Sequence, residues 1–196
     1  MKSKMTLLLP FLTLMATTST PAADYMVDPS HSKLGFIARH LVVSKVRGEF
    51  QKFDGSFSFD ATKPESLKVK VEAETASIFT NDGKRDEHLR SADFFDAAKN
   101  PKLIFESKKA KSTGKDSMDL SGDLTMHGIT KPVTFKVEYL GASKDPWGNS
   151  KVGFSAKTKV SRKDWGLTWN KALETGGVLV SEEIELEIDV EGNLKK

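Results

Sequence analysis

Apolar and polar residues alternate with a period of two along most of this chain. Ile184, Leu186, Ile188 and Val190 interleave with Glu183, Glu185, Glu187 and Asp189. Met118, Leu120, Gly122, Leu124 and Met126 interleave with Ser117, Asp119, Ser121, Asp123 and Thr125, and Val69, Val71 and Ala73 with Lys68, Lys70, Glu72 and Glu74. Leu34, Phe36 and Ala38 keep the same beat, as do Val133, Phe135, Val137 and Tyr139, and Val152, Phe154 and Ala156. Such alternation marks antiparallel strands with one wet face and one covered face. Turn signals separate the runs: Asp54-Gly55 suits a two-residue hairpin, and Asp145-Pro146-Trp147-Gly148 suits a type I turn.

Apart from residues 81–96, no run has helical period, so no set of helices is available to cover the apolar faces. The faces must cover each other, in a two-sheet sandwich or a closed barrel, and closure also removes exposed strand edges. About eight strands are expected, the longest reaching roughly 30 Å. A barrel of that size is just wide enough to be filled by side chains or to hold one small ligand. The inward positions mix Phe36, Phe57, Phe59, Phe135 and Phe154 with Ala38, Ala73, Gly122 and Ala156. That mixture is compatible with a tunnel and with a filled core.

Residues 81–96, Asn81 to Asp96, crowd Arg85, Asp86, Glu87, His88, Arg90 and Asp93 ahead of Phe94 and Phe95. Asn81 or Asp82 is placed to cap a short helix over Gly83 to Arg90, with Asp86 and Arg90 paired four residues apart and His88 on the row of Lys84. Two readings follow. Arg85, His88 and Arg90 could donate to an anionic or carbonyl head group at a polar mouth, or the helix could plug a barrel end with its charges paired to one another.

Catalytic signatures are scarce. His31, His40, His88 and His127 have no metal-ligand spacing, which points away from a metal site, and the parity of His40 with Leu34, Phe36 and Ala38 makes it the inward candidate. Asp86, Glu87, Asp93 and Asp96 are too crowded in sequence for a facing acid and base. No serine-nucleophile elbow and no phosphate-cradling glycine loop is present. Trp165, Leu167, Trp169 and Leu173 sit in an apolar loop ending at Gly176-Gly177, which is either a lid or a connection packed on the barrel.

The chain has 196 residues, no cysteine and a formal charge of +3. Lys2 and Lys4 precede an apolar run from Met5 to Ala16, and Thr20-Pro21-Ala22 supplies a cleavage site, so residues 1–22 read as a secretory signal peptide and residues 23–196 as one domain. The run is too short to cross a bilayer, which takes about 20 residues. Removing Lys2 and Lys4 leaves 28 basic against 27 acidic residues, a charge of +1. The lysines are spread over strand faces, which points away from nucleic acid and anionic membrane. Absence of cysteine excludes disulfides, thiolate metal sites, a cysteine nucleophile and a thiol-linked lipid anchor.

Several long blocks resemble the YceI-like family, also called polyisoprenoid-binding or lipid-binding YceI domains. They are Asp28-Pro29-Ser30-His31-Ser32 with Phe36 and Arg39-His40-Leu41; Arg47-Gly48-Glu49-Phe50 through Phe53 to Asp60; and Thr80 to Asp96. Gly122 to Val133, Asp145-Pro146-Trp147-Gly148 and the loop from Trp165 to Gly177 follow, so the resemblance spans Asp24 to Glu191. It implies an all-β fold, an elongated lipocalin-like antiparallel barrel of about eight strands with a short helix near one end. It further implies a tunnel for a long apolar ligand, periplasmic export and a homodimer. The ligand expected is a polyprenyl lipid, an isoprenoid quinone or a fatty amide, with no required cofactor, no stable membrane anchor and no catalysis. Leu34, Phe36, Phe57, Phe59, Val71, Leu124, Phe135, Val137, Phe154, Ile184 and Ile188 are the expected tunnel lining. His40, Arg85, His88, Arg90, Asp93, Phe94 and Trp169 are the expected head-group or mouth residues. Trp165 stands where the family commonly has Phe. An enzyme acting on such a lipid through residues 85–96, and an interaction domain with a filled core, are the competing readings.

Overall fold

The computed structural model describes residues 22–41, 43–174 and 177–195. The expected signal peptide lies outside these residues except for Ala22. Among these residues are eleven strands and one α-helix: β1 (Ala23–Val27), β2 (Lys33–His40), β3 (Ser44–Phe50), β4 (Phe53–Asp60), β5 (Lys63–Glu74), β6 (Ile78–Phe79), α1 (Gly83–Arg90), β7 (Lys102–Ser112), β8 (Ser117–Met126), β9 (Ile129–Lys144), β10 (Ser150–Ser161) and β11 (Val180–Leu194). Pairing runs β1-β4-β5-β7-β8-β9-β10-β11, and β11 returns to β1, so eight antiparallel strands close a ring. The alternation therefore resolves as a barrel, not a sandwich, and the count of about eight describes the ring. The other three strands, β2, β3 and β6, extend the wall from a second stretch of β11.

Strand β11 changes partner along its length. Gly192 to Leu194 pair with β1, whereas Ile184 to Asp189 pair with β2. Glu191 lies at the changeover, where its backbone would lose a ladder partner. Asp28 N–H donates to the Glu191 carbonyl at 2.8 Å, and the Ser32 hydroxyl accepts from Glu191 N–H at 3.0 Å. The Asp28 carboxylate in turn accepts from Ser30 N–H (3.0 Å), Lys151 (3.0 Å), His31 (3.1 Å) and Asn193 (3.3 Å), and Lys151 also reaches Glu191 Oε1 at 2.8 Å. The block Asp28 to Ser32 is thus a splice in the barrel wall. Burial pushes the Asp28 carboxyl up, but the hydrogen bonds from Lys151, His31, Ser30 and Asn193 outweigh it and hold the group well below the usual carboxylate range.

The two turn expectations fare differently. Asp145 accepts from Gly148 N–H through its carbonyl at 3.0 Å and from Asn149 N–H through its side chain at 2.8 Å, closing the β9–β10 hairpin as expected. Asp54 and Gly55, by contrast, lie inside β4, opposite Glu72 and Val71 of β5. The alternation Phe53, Gly55, Phe57, Phe59 continues through the dipeptide and overrides its turn signal. A tight hairpin forms instead at His127-Gly128 between β8 and β9, with φ of 51° and 73°, the two left-handed residues that a type I′ turn requires.

Inward glycines do not hollow the barrel. A Cβ on Gly122 would meet the Phe105 ring at 2.8 Å and press into the Glu106 carbonyl, and one on Gly48 or Gly192 would run into the ring of Phe36 or Phe57. Each glycine lets a phenylalanine lie flat on the sheet. Outside, cross-strand pairs such as Arg47–Glu187 (3.0 Å) and Lys136–Asp119 (2.7 Å) absorb the lysine-rich wet face, adding register more than stability.

Two outcomes follow from this packing. Gly122→Ala should lower unfolding stability by about 1–3 kcal/mol in urea titration, since the blocking carbonyl belongs to a paired strand. Gly114→Ala, in the β7–β8 turn, should stay within about 0.5 kcal/mol of the parent. Because the folded Asp28 pKa is depressed, its stabilisation is present above the unfolded value of about 4 and is lost as pH falls through the folded one. The Tm gap between the parent and Asp28→Asn should therefore be widest near neutrality and narrow below about pH 4. An unchanged gap down to pH 2 would contradict the splice.

Candidate functional site

The ring encloses a cavity of about 240 Å³. A single water needs only about 10–15 Å³ of such space, and cores rarely leave voids larger than a water. Its walls are apolar, with Arg162 the one charged residue among the described residues that line it. Of the expected tunnel residues, Leu34, Phe36, Phe57, Val71, Leu124, Phe135, Val137, Phe154, Ile184 and Ile188 all line this space. Phe59 does not. It lies 4.9 Å from the Phe154 ring and 5.1 Å from that of Tyr139, sealing the end where β9 runs into β10. Room in the wall comes from Ala38, Ala73 and Ala156, which line the cavity, and not from Gly122.

The opposite end is covered by α1, the segment after it, and the loop residues that follow Arg162, with Leu167 facing the space. Helix α1 begins at Gly83 because the Asp82 side chain accepts from Lys84 N–H and Arg85 N–H at 3.1 Å, the cap expected from sequence. The expected Asp86–Arg90 pair is not formed. Asp86 is 4 % exposed and takes Thr80 N–H at 2.8 Å and the Thr80 hydroxyl at 2.5 Å. Arg85 donates to the Thr80 hydroxyl (2.7 Å) and carbonyl (2.8 Å), and Arg90 donates to the Ile78 carbonyl (3.4 Å). Both arginines thus turn toward the strand that precedes the helix, and neither lines the cavity. The reason is local: the Ile78 and Thr80 carbonyls, at the short strand β6 and just past its end, accept these guanidinium donors.

His40 is half-buried at the end of β2 and also lies outside the lining, despite its inward parity. His88, Phe94 and Trp169 do come together, with ring centroids 4.7–5.1 Å apart. Phe94 lines the cavity, while His88 and Trp169 lie on its outer side and His88 Nε2 contacts Asp93 at 2.9 Å. This is a cluster of edge-to-face and tilted rings leading from the apolar wall to solvent. Phe95 also faces inward and meets Phe50 edge-on at 5.9 Å.

The loop that sequence left open as lid or packed connection is anchored over its first half. Trp165 is 2 % exposed, its indole N–H donates to the Leu124 carbonyl at 3.0 Å, and His127 Nδ1 contacts the Trp165 carbonyl at 2.9 Å. Leu167 is buried and lines the cavity. Arg162 is a residue that sequence reasoning passed over. Parity carried the signal, because Val152, Phe154, Ala156, Val160 and Arg162 occupy one series along β10 and its extension. An arginine at the end of an inward series is out of place by composition alone.

A closed antiparallel barrel around one apolar cavity places the molecule in the lipocalin-like class. Residues 25–192 match the model of the YceI-like domain, and the chain belongs to that family. A UPF0312 protein of Azotobacter vinelandii is 45 % identical over 181 residues, 91 % of each chain. The crystal structure of a Campylobacter jejuni YCEI protein superposes with a TM-score of 0.71 at 33 % identity, covering 81 % of this chain and 90 % of that one. A polyisoprenoid binding domain from Saccharophagus degradans shares the fold at a TM-score of 0.67 and 14 % identity, covering 89 % and 99 %.

The Asp86 network carries its own test. Asp86→Ala strands the buried Thr80 N–H and should cost about 1–3 kcal/mol, with hydrogen exchange rising across residues 80–90. Arg90→Ala, which gives up one long bond to a backbone carbonyl, should cost less than Asp86→Ala in the same denaturation series.

Proposed function

We propose that this protein binds a long apolar lipid of the isoprenoid class inside its barrel, as an exported carrier or reservoir. The observation that carries this reading is the continuous 240 Å³ cavity with apolar walls, set inside a closed ring. An isoprenoid tail offers no polar group to read, so its affinity must come from burial, about 0.8 kcal/mol for each CH₂ group removed from water. The walls suit that task. Leu, Ile, Val and Phe side chains from opposite faces of the ring surround the space, with Arg162 at its edge. A Saccharophagus degradans protein of the same fold is described as a polyisoprenoid binding domain, which supports this reading. The leader pattern of Lys2, Lys4 and the run Met5 to Ala16 supports export to the periplasm, where an aqueous gap separates two membranes and a lipid needs a carrier.

Binding is favoured over catalysis by the position of the polar cluster. Asp86 and Arg85 are engaged with Thr80, and the His88–Asp93 pair is exposed on the outer side of Phe94. None of these groups lines the space where a lipid would lie.

The test is mass spectrometry of organic extracts from protein purified with its leader intact in the expression host. A long-chain lipid near stoichiometry is expected from the parent, and none from a folded Ala156→Trp variant, whose indole would occupy the cavity. Parent protein that yields no lipid and takes up no added isoprenoid quinone would sink the reading.

A further inference from the structure

Arg162 is unusual among the basic side chains of this molecule. It stands at the start of the 3-10 turn Arg162–Trp165, where β10 ends, and is only 3 % exposed. Its Nε donates to the Ser181 carbonyl at 2.9 Å and its Nη1 to the Leu167 carbonyl. Its Nη2 is buried and has no hydrogen-bond partner among the described residues. Among the described residues, no carboxylate forms a salt bridge with it. Glu182, the acid whose field reaches it, is bound to Lys163 on the surface.

That arrangement is costly as it stands. A guanidinium carries five N–H donors and remains charged, so burying it against backbone carbonyls alone leaves both a donor and a net charge uncompensated. Burial pushes its pKa down, the direction expected of a cation removed from water without a counter-ion. A structural role accounts for Nε and Nη1, which hold the Ser181 and Leu167 carbonyls, but not for the unpartnered Nη2. The turn that carries it is also held rigidly: the Trp165 indole is bonded to Leu124, the Trp165 carbonyl to His127, and Gly166 closes the turn with φ of 74°. A buried donor held rigidly at the wall of an apolar cavity is how a binding site fixes the orientation of a ligand.

We propose that Arg162 is the head-group receptor of the cavity, and that the ligand is a long apolar chain ending in an oxygen acceptor, with an anionic terminus preferred over a neutral one. This rests on the lipid-binding reading above and specifies the ligand chemistry for the same cavity. The chain would run from Arg162, whose stem lines the cavity, toward Phe57 and Phe154, and the guanidinium would turn so that the terminal oxygen accepts the Nη2 hydrogen that nothing else takes. The residues first expected to meet a head group, Arg85 and Arg90, are spent on Thr80 and Ile78 and are replaced in that role by one buried arginine.

Three probes of equal chain length separate the contributions: farnesene, farnesol and farnesoic acid. Their affinities are measured by competition against a fluorescent apolar probe, in the parent and in Arg162→Met. Farnesoic acid should bind the variant about tenfold to a hundredfold more weakly than the parent, the range of one charge-assisted hydrogen bond. Farnesol should lose less, and farnesene should change by no more than about twofold. Equal losses for all three probes would show that Arg162 only shapes the cavity, and would overturn the proposal while leaving lipid binding intact. Failure of every probe and of longer isoprenoids to bind the parent would overturn both. Should Arg162→Met not fold, with the Ser181 and Leu167 carbonyls left unpaired, the parent alone decides the matter. Its ¹⁵N guanidinium resonances from Arg162 should shift on adding farnesoic acid and stay in place on adding farnesene, and identical responses to both would refute the assignment.

Discussion

The whole molecule depends on β11 serving two neighbours in succession. One strand must carry β1 on one part of its edge and β2 on another, or the ring stays open and apolar faces meet water. The difficulty lies at Glu191, whose backbone groups fall between two ladders. An unsatisfied buried amide costs on the order of 1–3 kcal/mol, enough to favour fraying there. Asp28 and Ser32 remove that cost from outside both ladders, and Lys151 neutralises the two acids that gather as a result. The cluster of Asp28, His31 and Glu191 has the composition of a cation site, yet the Lys151 ammonium already lies within 3.0 Å of both carboxylates. Wall continuity, not ion binding, explains why those residues meet.

Closure then sets what the interior can be. Eight strands give a ring whose middle is barely wider than its own side chains, so small changes in residue size decide whether space remains. Rings crowd one end, where Tyr25, Phe57, Phe59, Tyr139 and Phe154 pack at centroid distances of 4.9–5.5 Å. Toward the middle the alanines at 38, 73 and 156 withdraw from the axis, and the cavity opens where they do. Glycine would seem the better way to make room, but it invites a neighbouring ring onto the bare backbone, as Phe105 over Gly122 shows. Alanine keeps that ring away while giving up little volume.

Much of this was legible from the chain, and what was not has a common cause. Strand faces followed from alternation because a period of two is enforced residue by residue. The helix and its Asp82 cap followed because capping is a contact between residues two and three apart. The His127-Gly128 hairpin was equally local, and was passed over in favour of Asp54-Gly55, whose turn chemistry loses to the pairing of β4 with β5. Side-chain destinations were harder. Arg85, Arg90 and His40 were placed by composition and parity, but a long polar side chain goes where an acceptor is short of donors, and the carbonyls of Ile78 and Thr80 are visible only once β6 has ended. Phe59 failed for a related reason, since parity says which face a residue occupies but not how far along the axis the space extends.

Arg162 shows the same logic running in the opposite direction. Its parity was readable, and its meaning was not, because an inward arginine is informative only when no acid faces it. Apolar burial and a lone buried charge do different physical work in one cavity. Burial scales with chain length and says nothing about which end of a ligand enters first, since every CH₂ group gains about the same 0.8 kcal/mol wherever it lies. A single directional donor contributes less in total but differs between the two ends of the ligand, and only a difference can orient. A barrel lined by Leu, Ile, Val and Phe alone would hold many chains in many registers. One with an arginine at one end of that lining has a reason to hold a chain by its oxygen, with the tail directed toward Phe57 and Phe154.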